Sequence, residues 1–180
     1  AVVRLLEQSL IRISNVAYRS RHGTFGLTTL WDDHVTVEGG QMIFEFVGKS
    51  GKPHRVSVRD RRLARIVKQC EQLPGQHLFQ YLGEDGLPHA LESGDVNSYL
   101  REVTGQDYTA KDFRTWGGSV LAVRVLTALG PAGSAKEEEQ HIRQAVKEVA
   151  QQLGNTTTVC RRYYVHPAVF DAYRSGFLAA

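Results

Sequence analysis

Two cysteines, Cys70 and Cys160, are all the chain carries. That is too few for a disulfide framework or a cysteine-based zinc site, and it suits a reducing, intracellular setting. No apolar run approaches the ~18 residues that a membrane span needs. No signal-peptide pattern opens the chain. Internal repeats, low-complexity tracts and linker-like stretches are also missing, and no carboxylate cluster has metal-ligand spacing. These absences argue against a disulfide scaffold, a helical membrane span and a repeat array.

What remains is ordinary in bulk. The 180 residues are 42% hydrophobic and 23% charged, enough for one domain, or one domain and a small lobe, with a sizeable core. The net charge of +3 is mildly basic and does not by itself imply nucleic acid. The informative stretch lies near the end, from Leu153-Gly154-Asn155 through Cys160-Arg161-Arg162-Tyr163-Tyr164 to His166-Pro167. A helix stops at Gly154, an amide follows, and nine positions after Asn155 a tyrosine sits beside two arginines. A phenol is a poor nucleophile near neutral pH, but neighbouring guanidiniums favour phenolate and attract phosphate. The same residues also suit a plain surface helix with packed aromatics, so this stretch alone leaves both readings open.

Taken in order, Val2 to Ile11 carries apolar residues at helical spacing, and Arg12 is expected on the same helix. From Thr24 to Val58 the period changes to that of strands. Phe25–Leu30, His34–Val37, Met42–Val47 and Arg55–Val58 alternate between turns at Asp32-Asp33, Gly39-Gly40 and Gly48–Pro53. The pattern predicts a three- to four-stranded antiparallel sheet whose last turn projects Lys49 from a glycine-flanked tip.

The remainder reads as helical. Asp60–Leu73 is amphipathic, with Arg61, Arg62, Arg65 and Lys68 on its polar side. A short strand is expected at Leu78–Tyr81, and Ser93 is expected to cap the next helix. The segment 110–129 has core spacing up to Gly130-Pro131, and Ser134-Ala135-Lys136-Glu137 is a capping box opening the helix that reaches Leu153.

Five pieces then line up in order: Ile11-Arg12-Ile13-Ser14-Asn15 with Tyr18, Gly26–Leu30, Phe46-Val47-Gly48-Lys49, Lys111-Asp112-Phe113-Arg114-Thr115-Trp116, and Asn155 to Tyr164. Together they resemble the catalytic domain of type IB DNA topoisomerases, with the small bacterial and poxvirus members most similar, over essentially the whole chain. Departures are Ser14, where the family usually has glycine, and Val16, where an acidic residue is common.

The resemblance implies an α+β fold, mainly α-helical, of the tyrosine recombinase/type IB topoisomerase type. The small antiparallel sheet would lie at roughly 24–58 and the helical core at roughly 60–180, all of 1–180 forming the catalytic domain. It further implies that the family's smaller N-terminal DNA-clamping domain is absent from this chain. The implied function is relaxation of supercoiled duplex DNA through a 3′-phosphotyrosyl intermediate, without ATP, metal or other cofactor. Tyr164 is the implied nucleophile, Arg12 and Arg114 the clamp on the non-bridging oxygens, and Lys49 the general acid for the departing 5′-oxygen. Asn155 stands where viral and eukaryotic members have histidine.

The chemistry of each residue type agrees. Two guanidiniums supply fixed charged forks for developing phosphate charge, an ammonium can give the leaving alkoxide its proton, and an amide can donate one hydrogen bond. DNA contacts are expected from Lys49, Lys52, Arg61, Arg62, Arg161 and Arg162, mostly to phosphates. The partner is duplex DNA, with no membrane involved; a monomer, cytoplasmic and nucleoid-associated, is expected. Two alternatives share the fold: a tyrosine recombinase or integrase, which usually has histidine where Lys111 stands, and a DNA-binding module without catalysis.

Overall fold

The computed structural model describes residues 1–179. They divide into two compact units, residues 1–111 and residues 112 onward.

In the first unit the helix α1 (Val2–Ser9) buries Val2, Leu5 and Leu6. It stops sooner than its periodicity suggests. The Ser9 hydroxyl donates to Leu5 O and accepts from Ile11 N, and Leu10 turns into the left-handed region at φ 54°. A serine that satisfies the backbone locally ends a helix. Arg12 therefore does not ride on α1, as its spacing predicts, but lies in the irregular stretch that follows. Helix α2 (Val16–His22) comes next.

The expected strand at Phe25–Leu30 is a second correction. Residues Leu27–Thr29 form a 3₁₀ turn instead. Their hydrogen bonds go elsewhere: Leu27 N donates to Arg12 O at 2.7 Å, and the Thr28 hydroxyl bridges Ser14 N and Ser14 O. A Cβ on Gly26 would lie 2.4 Å from Arg12 O, so only glycine lets the two segments cross this closely. Phe25 and Trp31 meet edge to face at 5.0 Å, and both pack on His34, whose pKa burial pushes down.

Three strands make the sheet, in the order β1 (Val35–Glu38), β2 (Gln41–Gly48), β3 (Lys52–Arg59), all antiparallel. Val35 pairs with Phe44 and Met42 with Val58. Period-2 alternation turns Met42, Phe44 and Phe46 inward, and the sheet packs against α1 and α3 (Arg61–Cys70). Asp60 caps α3 by accepting from Arg62 N and Leu63 N; these bonds, the one from Leu63 foremost, hold its carboxyl below the usual range.

The strand expected near Leu78–Tyr81 is β4 (Gln80–Leu82), paired with β5 (Pro88–Ala90), whose Pro-His-Ala run gives no strand signal of its own. Helix α4 (Ser93–Thr104) begins with Glu92 at the cap position rather than Ser93, and the Asp95 carboxylate accepts from Glu92 N.

The long α5 (Ala110–Leu129) leads into the second unit, followed there by α6 (Ala135–Leu153), α7 (Thr157–Tyr163) and α8 (Pro167–Arg174). Ala122 and Leu126 of α5 belong to this core, as does the α6 stripe Ile142, Ala145, Val146, Val149 and Leu153. Cys160, Val165, Phe170 and Tyr173 complete it. Tyr173 donates to Gly130 O at 2.8 Å and meets His141, which ties α8 to the end of α5 and to α6. The fold is thus mainly helical with a small antiparallel sheet, as the resemblance implies.

The capping box at α6 is shifted by one residue. The Ser134 hydroxyl accepts from Glu137 N, while the Glu137 carboxylate accepts from Gly133 N at 2.7 Å. Ser134→Ala is expected to cost about 1 kcal/mol, read as a fall of about 2–4 °C in Tm by calorimetry.

Candidate functional site

The sequence-expected residues fall into two groups, one in each unit. Arg114, Asn155 and Tyr164 belong to the second. Their arrangement starts with Gly154, at φ 63°. Glycine takes this left-handed conformation without a Cβ penalty, and Gly154 N then donates to Gln151 O at 3.2 Å while Asn155 N donates to Ala150 O at 3.0 Å. This closes α6 as a Schellman motif. Asn155 sits half-buried on the closure, with its Nδ2 out of contact with solvent. The chain turns at once into α7, whose first turn is capped by the Thr156 hydroxyl accepting from Val159 N.

Tyr164 terminates α7. Its N–H donates to Cys160 O at 3.0 Å, and its φ and ψ of −126° and −6° leave the helix. Arg114 comes from α5. Its side chain is only 3% exposed, its Nη2 donates to Leu153 O at 2.8 Å, and its guanidinium carbon lies 5.3 Å from the centre of the Tyr164 ring. Arginine, phenol and the Asn155 corner are thus gathered at one end of α6. Tyr163 is half exposed and lies under Arg162, 5.2 Å from ring centre to guanidinium. Of the two adjacent tyrosines, Tyr164 is the one held against Arg114.

In the first unit Arg12 is half-buried, on the stretch whose carbonyl accepts from Leu27 N. Two residues before Leu27, Phe25 N donates to Val47 O at 2.8 Å. Val47 immediately precedes the tight Gly48–Lys49 turn, so residues 25–27 link the backbone of Arg12 to the hairpin that carries Lys49. Lys49 is exposed, in a 3₁₀ turn (Lys49–Gly51) between β2 and β3. Lys52, also exposed, opens β3.

The remaining cations line two open clefts. Arg61, Arg65 and Lys68 project from one face of α3 beside the Gly39-Gly40 turn, around a volume of about 470 Å³. Arg62 is exposed on the same helix. In the second unit Arg161 and Arg162 line a cleft of about 600 Å³ with Arg143, Lys147, Thr157 and Thr158. Arg143 and Lys147 were not singled out from the sequence. Their i, i+4 spacing on α6 is visible there, but not that α7 folds back beside them. Arg161 is already engaged: it donates to Glu139 at 2.9 Å and lies over the Phe170 ring. The same bond, with Arg143 adding to it, holds the Glu139 carboxyl below its ordinary value.

Among the described residues no group of three or more His, Cys, Asp or Glu is placed to hold a metal, and no helix is long and apolar enough to cross a membrane.

Known proteins agree on one family. The family model described as the catalytic core of eukaryotic DNA topoisomerase I matches residues 1–177. The DNA topoisomerase 1B of Acanthamoeba polyphaga mimivirus is 27% identical over 181 residues, which covers 97% of this chain and 54% of that one. The chain thus spans about half the length of this curated relative. One family model accounts for nearly every residue of both units, and the protein therefore belongs to the type IB DNA topoisomerases, matching them through their catalytic core.

Proposed function

We propose that this chain relaxes supercoiled duplex DNA by cutting and resealing one strand through a covalent tyrosyl intermediate. The observation that carries the reading is the buried Arg114 guanidinium held 5.3 Å over the Tyr164 ring. A fixed guanidinium beside the phenol sets positive charge next to the attacking group, where it can bind the oxygens of a phosphate.

In the reaction, Tyr164 Oη attacks the scissile phosphorus and the bond to the 5′-oxygen breaks. The phenolic proton leaves to solvent, and the Lys49 ammonium gives its proton to the departing oxygen. Arg12 and Arg114 bind the two non-bridging oxygens, where charge builds during transfer, and the Asn155 amide donates one further hydrogen bond. The phosphotyrosyl bond conserves the energy of the phosphodiester. The free 5′-hydroxyl can therefore attack it, expel Tyr164 and reseal the strand without ATP. The positive charge this chemistry needs comes from the side chains themselves, so we expect it to run in EDTA.

The deciding experiment mixes the protein, in EDTA, with a labelled duplex nicked just downstream of the cleavage site, so that the leaving strand diffuses away. After an SDS stop, a slower-migrating labelled adduct is expected from the parent protein and from Tyr163→Phe, and none from Tyr164→Phe. Arg114→Ala should slow single-turnover cleavage by about 10²–10³-fold, the cost of removing one preorganised donor. DNA that is bound by the parent protein without any adduct would leave a binding module as the reading.

DNA contacts from Lys49, Lys52, Arg61, Arg62, Arg161 and Arg162 should be to phosphates, with little sequence preference and a steep dependence on salt. These residues differ in what they give up. Lys52 has no carboxylate partner among the described residues, whereas Arg161 must exchange Glu139 for a phosphate. Fluorescence anisotropy across a salt series should show Lys52→Ala lowering the log–log slope by about 0.9, and Arg161→Ala lowering it less. A flat salt dependence in the parent protein would contradict the assignment.

A further inference from the structure

Gly117 and Gly118 stand together inside the 20-residue α5, where glycine weakens a helix relative to alanine. Gly118 has a physical reason to be there. A Cβ at this position would lie 2.5 Å from Tyr164 O and 3.4 Å from Tyr164 C. Both are backbone atoms, so no flexible side chain can yield to it.

The neighbouring residues on the same face continue the contact. The Ser119 hydroxyl accepts from His166 N at 2.9 Å while donating to Thr115 O, also at 2.9 Å. The Thr115 hydroxyl reaches Tyr163 O at 3.5 Å. Residues at i, i+3 and i+4 share one helix face, so Thr115, Gly118 and Ser119 meet the backbone of residues 163–166 in order. From the other side, α7 holds Tyr164 through its N–H on Cys160 O. Arg114, one turn before Gly118, faces the ring.

We propose that the Thr115–Gly118–Ser119 stripe of α5 is the seat that positions Tyr164 for attack, which makes Gly118 and Ser119 positioning residues for strand cleavage. The inference rests on the reading of Tyr164 as nucleophile given above. The seat works through the backbone. With the Tyr164 amide held by α7 and its carbonyl lying on Gly118, the origin of the side chain is fixed before any DNA arrives, and the phenol keeps only its own rotations. A methyl group at position 118 must push the carbonyl out by at least ~0.5 Å to reach the 3.0 Å that real Cβ contacts respect. The tyrosine side chain would carry that shift outward, and a misplacement of about 1 Å of a reacting group costs about 10²-fold in rate.

The test uses the nicked-duplex adduct assay under single-turnover conditions with saturating protein, together with duplex Kd by anisotropy and Tm for each variant. Gly118→Ala is expected to slow cleavage by about 10²-fold, with Kd within about twofold of the parent. A general structural defect would instead move Kd and Tm along with the rate. Ser119→Ala is expected to slow cleavage by about 10-fold, because one anchor of three is lost and the geometric loss is smaller. Ser119→Thr, which keeps the hydroxyl, should recover most of that. Gly94→Ala is the control. It makes the same glycine-to-alanine change in α4, where nothing lies within 4 Å, and should leave the rate unchanged.

Gly118→Ala and Ser119→Ala both cleaving at the parent rate, while Tyr164→Phe forms no adduct, would overturn the seat and leave the nucleophile standing. If Gly118→Ala fails to fold, the Ser119 pair decides: loss in alanine with recovery in threonine supports the seat, and parent-like rates in both overturn it. An adduct that survives Tyr164→Phe would overturn the nucleophile reading, and the seat with it.

Discussion

The second unit depends on one buried guanidinium. Taking a charge out of water costs several kcal/mol unless the surroundings replace its hydration, and Arg114 is almost wholly enclosed. Part of the replacement is the Leu153 carbonyl, which sits in the last turn of α6, where the unsatisfied carbonyls and the helix dipole present negative charge. Part is the face of the Tyr164 ring, whose quadrupole attracts a cation. One side chain from α5 thereby joins the end of α6 to the end of α7. If the α6 terminus or the Tyr164 ring shifts, the cation loses a partner, so the geometry of the candidate site and the stability of the unit are the same problem.

The first unit holds its two candidate residues differently. Lys49 stands at the tip of a hairpin whose strands are paired from Gln41↔Arg59 to Gly48↔Lys52, a regular scaffold ending in an exposed charge. Arg12 lies on an irregular stretch whose backbone is held by Leu27 N and the Thr28 hydroxyl, partners that no helix or strand provides there. Loops carried on a stiff frame are where functional side chains concentrate, and the Gly26 crossing is what stiffens this one.

Surface charge is organised with comparable economy. Glu139 accepts from both Arg143 and Arg161, while Arg174 pairs mainly with Glu138. Exposed pairs of this kind contribute little stability. Their effect is to set which cations must give up a partner before meeting an anion.

What the sequence alone determined is what acts over a few residues. The left-handed close at Gly154, the serine cap before α6 and the period-2 stripe of β2 all depend on neighbours within one turn or one strand. All are found where the pattern puts them. Family membership was also legible, because its motifs are short runs in a fixed order. Three features departed from the pattern, two of them decided only in the tertiary structure. Arg12 left the helix that its spacing implied, Gly26–Leu30 became a turn instead of a strand, and Pro88–Ala90 became a strand without strand-forming residues. In the first, the Ser9 hydroxyl ends the helix before the chain reaches Arg12; in the second, hydrogen bonds between segments more than ten residues apart outweigh local preference; in the third, pairing with β4 supplies the order. The same holds for the seat under Tyr164. A glycine inside a helix reads as a weak point along the chain, and only the approach of a carbonyl from a segment more than forty residues away gives it a purpose.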